Sequence, residues 1–332
     1  MEFTGDPIVG TKKNKIPILY LDTCIMLELA KYAKGICDNS HKAEIGELFS
    51  LLTQLMQSGK LLCPSGNQLQ EMGMSHGKKD AKMFLLSFTN AWLKLPDEIK
   101  EDQLAIGYQA FIAQNPWIGL REDMIFDEDS TPDSQFRVHL APIYKPETLE
   151  KRRTTKLDTV RTLNAMKQGG RIEKDWNAQL RSELLSDYHQ VYWAFVRQED
   201  YTPTIEHVLQ QRDLLYSRTG LRKQAGACIP PEVADSYTRF LQSSYHHNLP
   251  FQRIEAVLWA HFMQRSNKIV RGDRLDALWA SAYLPFVDYV ITDHAFSMLL
   301  IESSIAETYN TEVYSMRNFR TMIDSLYTLA AT

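Results

Sequence analysis

The chain reads as an α/β protein: a parallel sheet built from its two ends, interrupted by a large all-helical block. Three observations predict this. Short apolar segments over 16–21, 60–63, 287–291 and 312–314 have the length and side-chain content of buried parallel strands. Helical spacing of apolar residues fills the intervals between them, so strand and helix alternate. From 77 to 249 helical spacing continues without a convincing strand. The sheet domain is therefore expected over 16–76 and 250–332, a helical insertion over 77–249, and a flexible lead over 1–15.

The first strand, 16–21, halts at Asp22-Thr23. Ile25, Met26, Leu29 and Tyr32 then recur at helical spacing, with Gly35 as the stop. A second amphipathic helix over 42–57 carries Ile45, Leu48, Phe49, Leu52 and Leu55 on one face and ends at Ser58-Gly59. The second strand follows, then Pro64 and a helix holding Leu69, Glu71 and Met72. In the block, helices are expected over 79–94, 97–114, 146–167, 172–198, 204–217 and 231–246, with a long irregular stretch over 115–145.

A helix over 250–264 leads into RGDRLDALWASAYLPFVDYVITDHAF, residues 271–296. Asp273 and Asp276 open one helix there, and Leu284-Pro285 ends it, because proline disfavours helix in the residue before it. A strand then stops at Asp293, where a helix over 294–302 begins. The closing helix, 318–329, sets Phe319, Met322, Ile323, Leu326 and Leu329 on one face.

Across 332 residues the net charge is −4, with 44% hydrophobic and 23% charged residues. Those values suit a globular chain and give no bulk attraction to nucleic acid, leaving local basic patches as the place to look. Four separated cysteines, without a Cys-x-x-Cys pair, read as buried free thiols in a reducing compartment. The polar, basic 1–15 stretch has no apolar signal core, and no apolar run reaches membrane-spanning length. A soluble cytoplasmic protein with no membrane partner is expected.

Two readings of the acids stand. Each can cap a helix: Asp22 and Asp293 precede helices, and Asp273 and Asp276 have the spacing of a capping box. In a parallel sheet, however, Asp22 and Asp293 end strands at the same edge, outside which ligands bind. Glu71 follows the second strand, and Asp273 and Asp276 open a helix entering the same region. Clustered carboxylates need neutralising, and hard divalent cations such as Mg²⁺ or Mn²⁺ do this through oxygen ligands. A cation held there can polarise a phosphoryl oxygen and activate water, the chemistry of phosphodiester hydrolysis.

At these residues the chain resembles the PIN-domain nuclease superfamily. Leu21-Asp22-Thr23 matches the family's first acid, and Glu71 in PSGNQLQE the second. Asp276 in DALWASA matches the third and Asp293 in ITDHAF the fourth, with Asp273 as a further acid. The matches cover roughly half of the chain; the helical block departs from a minimal PIN domain. The resemblance implies a three-layer α/β/α domain whose metal ligands are Asp22, Glu71, Asp273, Asp276 and Asp293. Asp22, Glu71, Asp276 and Asp293 would be catalytic, with Thr23 and Thr292 supporting. It implies a Mg²⁺- or Mn²⁺-dependent nuclease, RNA being expected over DNA and an endonucleolytic cut over an exonucleolytic one. A toxin or defence role is the corresponding analogy.

Two other functions stay open: a non-catalytic scaffold that binds protein or RNA through the helical block, and a hydrolase of small phosphoesters. The block is the expected surface for a protein partner or for self-association. Lys78, Lys79, Arg152 and Arg153 are the candidate phosphate contacts, with Lys82, Lys151, Lys156, Arg218, Arg222 and Lys223 in the same clusters. For any single cluster a solvated helix face is the competing reading. Trp176, Tyr188, Tyr192 and Trp193 fall at helical spacing and read as core.

Overall fold

A computed structural model describes residues 16–38, 40–66, 68–73, 79–116, 118–127, 160–169, 173–186 and 231–331. These fall into two compact units, one drawn from Asp97–Leu120 and Val160–Ala282, the other from Thr11–Pro96, Arg121–Thr159 and Tyr283–Thr332. The division does not follow the boundaries at 77 and 249.

The second unit carries the sheet. In chain order it contains β1 (Leu19–Leu21), α1 (Thr23–Ala33), α2 (Lys42–Gln57), β2 (Pro64–Ser65), α3 (Gln68–Gly73), α4 (Lys79–Phe88) and β3 (Ala91–Trp92). Gly35 and Gly59 follow α1 and α2 with φ of 72° and 69°, the left-handed conformation glycine adopts freely after a helix. Beyond Tyr283 come β4 (Tyr289–Thr292), α11 (His294–Glu302), α12 (Ile305–Thr308), β5 (Glu312–Ser315) and α13 (Phe319–Ala331).

Among the described residues the strands pair in parallel, and a single bridge between Leu93 and Phe126 is antiparallel. β4 lies between β1 and β5, with Leu21 opposite Ile291 and Thr292 opposite Ser315. β2 pairs with β3, and a bridge between Ile18 and Leu62 joins β2 to β1. The strand order is thus β3-β2-β1-β4-β5. Leu62 donates to Pro17 and accepts from Leu19, both at about the usual length (2.9 and 2.8 Å). The next rung on that side falls on Pro64, which has no N–H to give, so the β1–β2 ladder stops at one bridge.

The second strand therefore lies at Pro64–Ser65, past the expected 60–63, and β3 was not expected at all. That block is not all-helical: the helix expected over 79–94 ends at Phe88, and Ala91–Trp92 joins the sheet. Asn90 causes the turn. Its Oδ1 accepts the Cys63 N–H at 2.7 Å and its Nδ2 donates to the Leu61 carbonyl at 2.9 Å, pinning the chain beside β2.

Leu19, Leu21, Ile291 and Tyr314 meet α1, α2 and α13 in one apolar core through Ile25, Leu29, Leu48, Leu52, Ile323 and Leu326. By strand alternation Tyr20 faces the other way, and its ring lies 5.2 Å from that of Tyr283. Both faces of β1 are buried, which is why its sequence is apolar throughout.

The first unit is helical: α5 (Pro96–Ile112), α6 (Trp176–Leu184), α7 (Pro231–Leu241), α8 (Ser244–His247), α9 (Pro250–Gln264) and α10 (Arg271–Tyr283), which ends at the unit boundary, with 160–168 also helical. Tyr108, Tyr237 and Phe240 form an aromatic core, Tyr108 meeting each of the others at 5.5 Å. α6 packs on α9, where half-buried Trp176 lies tilted against His261 with ring centroids 4.5 Å apart, at the margin of the core rather than inside it. Of the helix expected over 172–198 the described part is Trp176–Leu184, with 187–198 outside the described residues, and the helix expected over 231–246 is broken at Gln242-Ser243. Residues 1–15 and the helix expected over 204–217 lie outside the described residues. Among the described residues, no helix is long and apolar enough to cross a membrane.

Candidate functional site

The strand order reverses between β1 and β4: from β1 the chain builds outward through β2 and β3, then returns to add β4 and β5 on the other side. The crevice outside the carboxyl ends at such a switch is where open α/β sheets bind ligands. Asp22 ends β1 and Asp293 ends β4, so register sets both acids at that point.

Asp22 is 7% exposed and does two things. Its Oδ1 accepts the Thr23 N–H and caps α1. Its Oδ2 accepts the Thr292 hydroxyl at 2.8 Å and the Cys24 thiol at 3.4 Å. Burial pushes the Asp22 carboxyl above the usual range. The bonds from Thr292, Thr23 and Cys24 pull it part of the way back, and the Asp293 charge adds to the upward push. The Cys24 thiol is pushed up as well, by burial first and then by the Asp22 charge, so it is a poor nucleophile.

Asp293 is exposed and caps α11 through Oδ1, which accepts the Ala295 and Phe296 N–H groups at 2.8 and 3.1 Å. Among the described residues neither Asp22 nor Asp293 has a cationic partner. Half-buried Glu71 joins them through Thr23, whose hydroxyl donates to Glu71 Oε2. Hydrogen bonds thus link Asp22 with Thr292 and Thr23 with Glu71, and Asp293, next in the chain after Thr292, acts on Asp22 through its charge.

Asp273 and Asp276 belong to the other unit. Asp273 is buried, and its Oδ2 accepts from the Arg265 guanidinium and from the Val270 N–H, the backward-reaching half of a capping box. Asp276 is half-buried on the same helix. Lys78, Arg152 and Arg153 lie outside the described residues, as does the side chain of Lys79.

Gln68, absent from the sequence reading, is wholly buried. Its Nε2 donates to the Leu21 carbonyl and its Oε1 accepts the Gly66 N–H, each at 2.7 Å, tying the end of β1 to the end of β2 just ahead of Glu71. Ser315, opposite Thr292 and buried, caps the turn after β5 with Asn318. Ser315 is the last residue of its strand and Gln68 the first of α3, so the sequence signal is a polar residue at a strand end or at the helix start that follows.

Comparison with protein-family models, curated proteins and solved structures finds no match to this chain.

The fit of these residues to a divalent ion follows from the donor set. Among the described residues no three His, Cys, Asp or Glu side chains converge as a ligand cage. Two carboxylates with room for water suit Mg²⁺, which keeps several waters and takes one or two carboxylates. Asp22 and Asp293 are two carboxylates without a cationic partner among the described residues, the number and type of donor such an ion takes.

Proposed function

We propose that the sheet unit is a Mg²⁺- or Mn²⁺-dependent phosphodiesterase acting on nucleic acid, with RNA as the preferred substrate. The observation that carries this reading is the pair of acids at the carboxyl ends of β1 and β4, where the strand order reverses. Asp22 is buried, pushed toward its protonated form, and has no cation beside it among the described residues. Capping does not itself require burial, since exposed Asp293 also caps its helix. Burying the charge instead costs stability, and active sites retain such arrangements.

Asp22 Oδ2 and the carboxylate of Asp293 would hold the ion. When bound, it supplies charge stabilisation for the scissile phosphate and lowers the pKa of water. The chain's own part is orientation and proton handling. The Thr292 hydroxyl fixes the outer oxygen of Asp22, and the Thr23 hydroxyl fixes Glu71, whose carboxylate would accept the proton released by the attacking water. Asp276 enters through the resemblance to PIN-domain nucleases. Asp273 is the least suited as a ligand, because Arg265 already matches its charge.

The helix-capping bonds of both acids favour a second reading, a non-catalytic scaffold. One assay separates the two: labelled RNA and single-stranded DNA are incubated with wild type and Asp22→Asn in Mn²⁺, Mg²⁺ or EDTA. The nuclease reading expects metal-dependent cleavage of RNA that EDTA abolishes. The substitution should slow it about a hundredfold or more, since ion contacts at the transition state are worth several kcal/mol. Intact RNA under every condition supports the scaffold.

A further inference from the structure

The loop between α9 and α10, with the first turn of α10, concentrates positive charge in a chain whose net charge is −4. Arg265, Lys268, Arg271 and Arg274 fall within ten residues that hold a single acid, Asp273. Arg265 consumes that acid. Lys268 and Arg274 are exposed and have no ion pair among the described residues. Lys167, from the 160–168 helix, adds a further cation. Its pKa is lowered by burial first and by the Arg265 charge second, a sign that positive groups crowd here.

The loop is also held rigid by side chains. Asn164 clasps Ile269 in both directions, Nδ2 donating to its carbonyl and Oδ1 accepting its N–H, each at 2.9 Å. Lys167 Nζ donates to the Phe262 carbonyl at 2.8 Å, at the end of α9, and to the Asn267 carbonyl at 2.7 Å. The Arg265 guanidinium lies 4.8 Å from the Phe262 ring centroid. These contacts fix the backbone while Ser266, Asn267, Lys268, Val270 and Arg274 remain exposed. Cations mounted on a pre-ordered loop bind a polyanion with little further ordering cost.

We propose that residues 265–274 form a phosphate-binding surface for the backbone of single-stranded RNA, with Lys268 and Arg274 as its direct contacts. Ser266 and Asn267 offer hydrogen bonds to phosphate and sugar oxygens, and Val270, 55% exposed, offers an apolar contact to a base. The identity of the polyanion rests on the nuclease reading; the surface itself rests on the charge and the clasp.

The test is fluorescence anisotropy of a labelled single-stranded RNA in EDTA, over about 50–200 mM salt, with wild type, Lys268→Gln/Arg274→Gln and Asn164→Ala. Each phosphate contact to a single strand contributes about 0.7 to the slope of log K against log salt. Losing two contacts should flatten the slope by about 1.4 and weaken binding about twenty-five-fold near 0.1 M salt. Asn164→Ala should weaken binding while leaving both cations in place. The proposal is overturned by an unchanged slope in the folded double variant, or by a wild type that does not bind RNA. It is equally overturned if the two cations govern binding to phosphatidylserine vesicles and leave RNA binding untouched. Because binding is read without metal, RNA left intact by wild type in Mn²⁺ and Mg²⁺ would remove the nuclease reading and leave the surface standing.

Discussion

Thr292→Val isolates the bond on which the state of Asp22 depends. Thr292 is wholly buried, and its hydroxyl donates to Asp22 Oδ2 at 2.8 Å. Valine keeps the shape and the strand preference while removing only that donor. A hydrogen bond to a charged acceptor is worth about 1.5–3 kcal/mol, against about 1 kcal/mol for a neutral one. The loss therefore falls mainly on the ionised form, and the Asp22 carboxyl moves further above the usual range. The sign of the pH effect follows: a carboxyl raised in the folded state binds its proton more tightly there than in the unfolded chain. Stability is thus lost as pH rises from the ordinary carboxylate range through the folded value. Urea denaturation at a series of pH values should show the variant about 1.5–3 kcal/mol less stable at neutral pH, the gap narrowing to about 1 kcal/mol in acid. A gap that is constant with pH, or widest in acid, would refute the assignment of this bond to an ionised Asp22.

Asp22→Asn keeps an acceptor for the Thr23 N–H and removes the buried charge, so in EDTA it should be about 0.5–2 kcal/mol more stable than wild type. Wild type should gain about 2.7 kcal/mol from Mn²⁺ at a hundred times its dissociation constant, and the variant should not; urea melts in both buffers read the difference. At Gly66, a methyl would sit 2.7 Å from Tyr283 Oη and 3.3 Å from Leu93 Cβ. Tyr283 is anchored by its bond to the Lys94 carbonyl, so Gly66→Ala should cost about 1–3 kcal/mol in the same assay, and a change near zero would show that the ring yields. In the helical unit, His247 is held down to about 4 from 6.5, by burial first and then by His246. Its folded state disfavours the charged imidazole, so stability is full above the ordinary range and lost as pH falls from 6.5 toward 4. That difference of about 2.5 units corresponds to about 3 kcal/mol. His247→Gln should flatten this acid loss, and an imidazole NMR titration near 6.5 would contradict it.

The parts of the fold legible in the sequence are those set by local chemistry. β1 and β4 are buried apolar runs that stop at an acid, and in both cases the acid caps the following helix. Gly35 and Gly59 mark helix ends because they take the left-handed conformation there. The illegible parts depend on distant partners. Ala91–Trp92 carries no strand signal of its own and becomes β3 because Asn90 holds it against Leu61 and Cys63. β2 lies later than expected because Pro64 cannot extend the β1 ladder, whereas the carbonyls of Cys63 and Ser65 still accept from Asn90 and Leu93. At the site, the order of the acids was readable and their pairing was not. Register joins Asp22 to Thr292, and Thr23 reaches Glu71 across 48 residues of sequence. The ion pair of Asp273 with Arg265 left no mark in the spacing of either residue.

The claim at the centre of this account is that Asp22 and Asp293 hold a divalent ion between the ends of β1 and β4. Calorimetric titration of Mn²⁺ into metal-free wild type, Asp22→Asn and Asp293→Asn tests it directly. The account predicts saturable uptake by wild type and affinity at least tenfold weaker in each variant, with all three equally folded. No uptake by wild type, or equal uptake by all three, would contradict it and return both acids to the capping of α1 and α11.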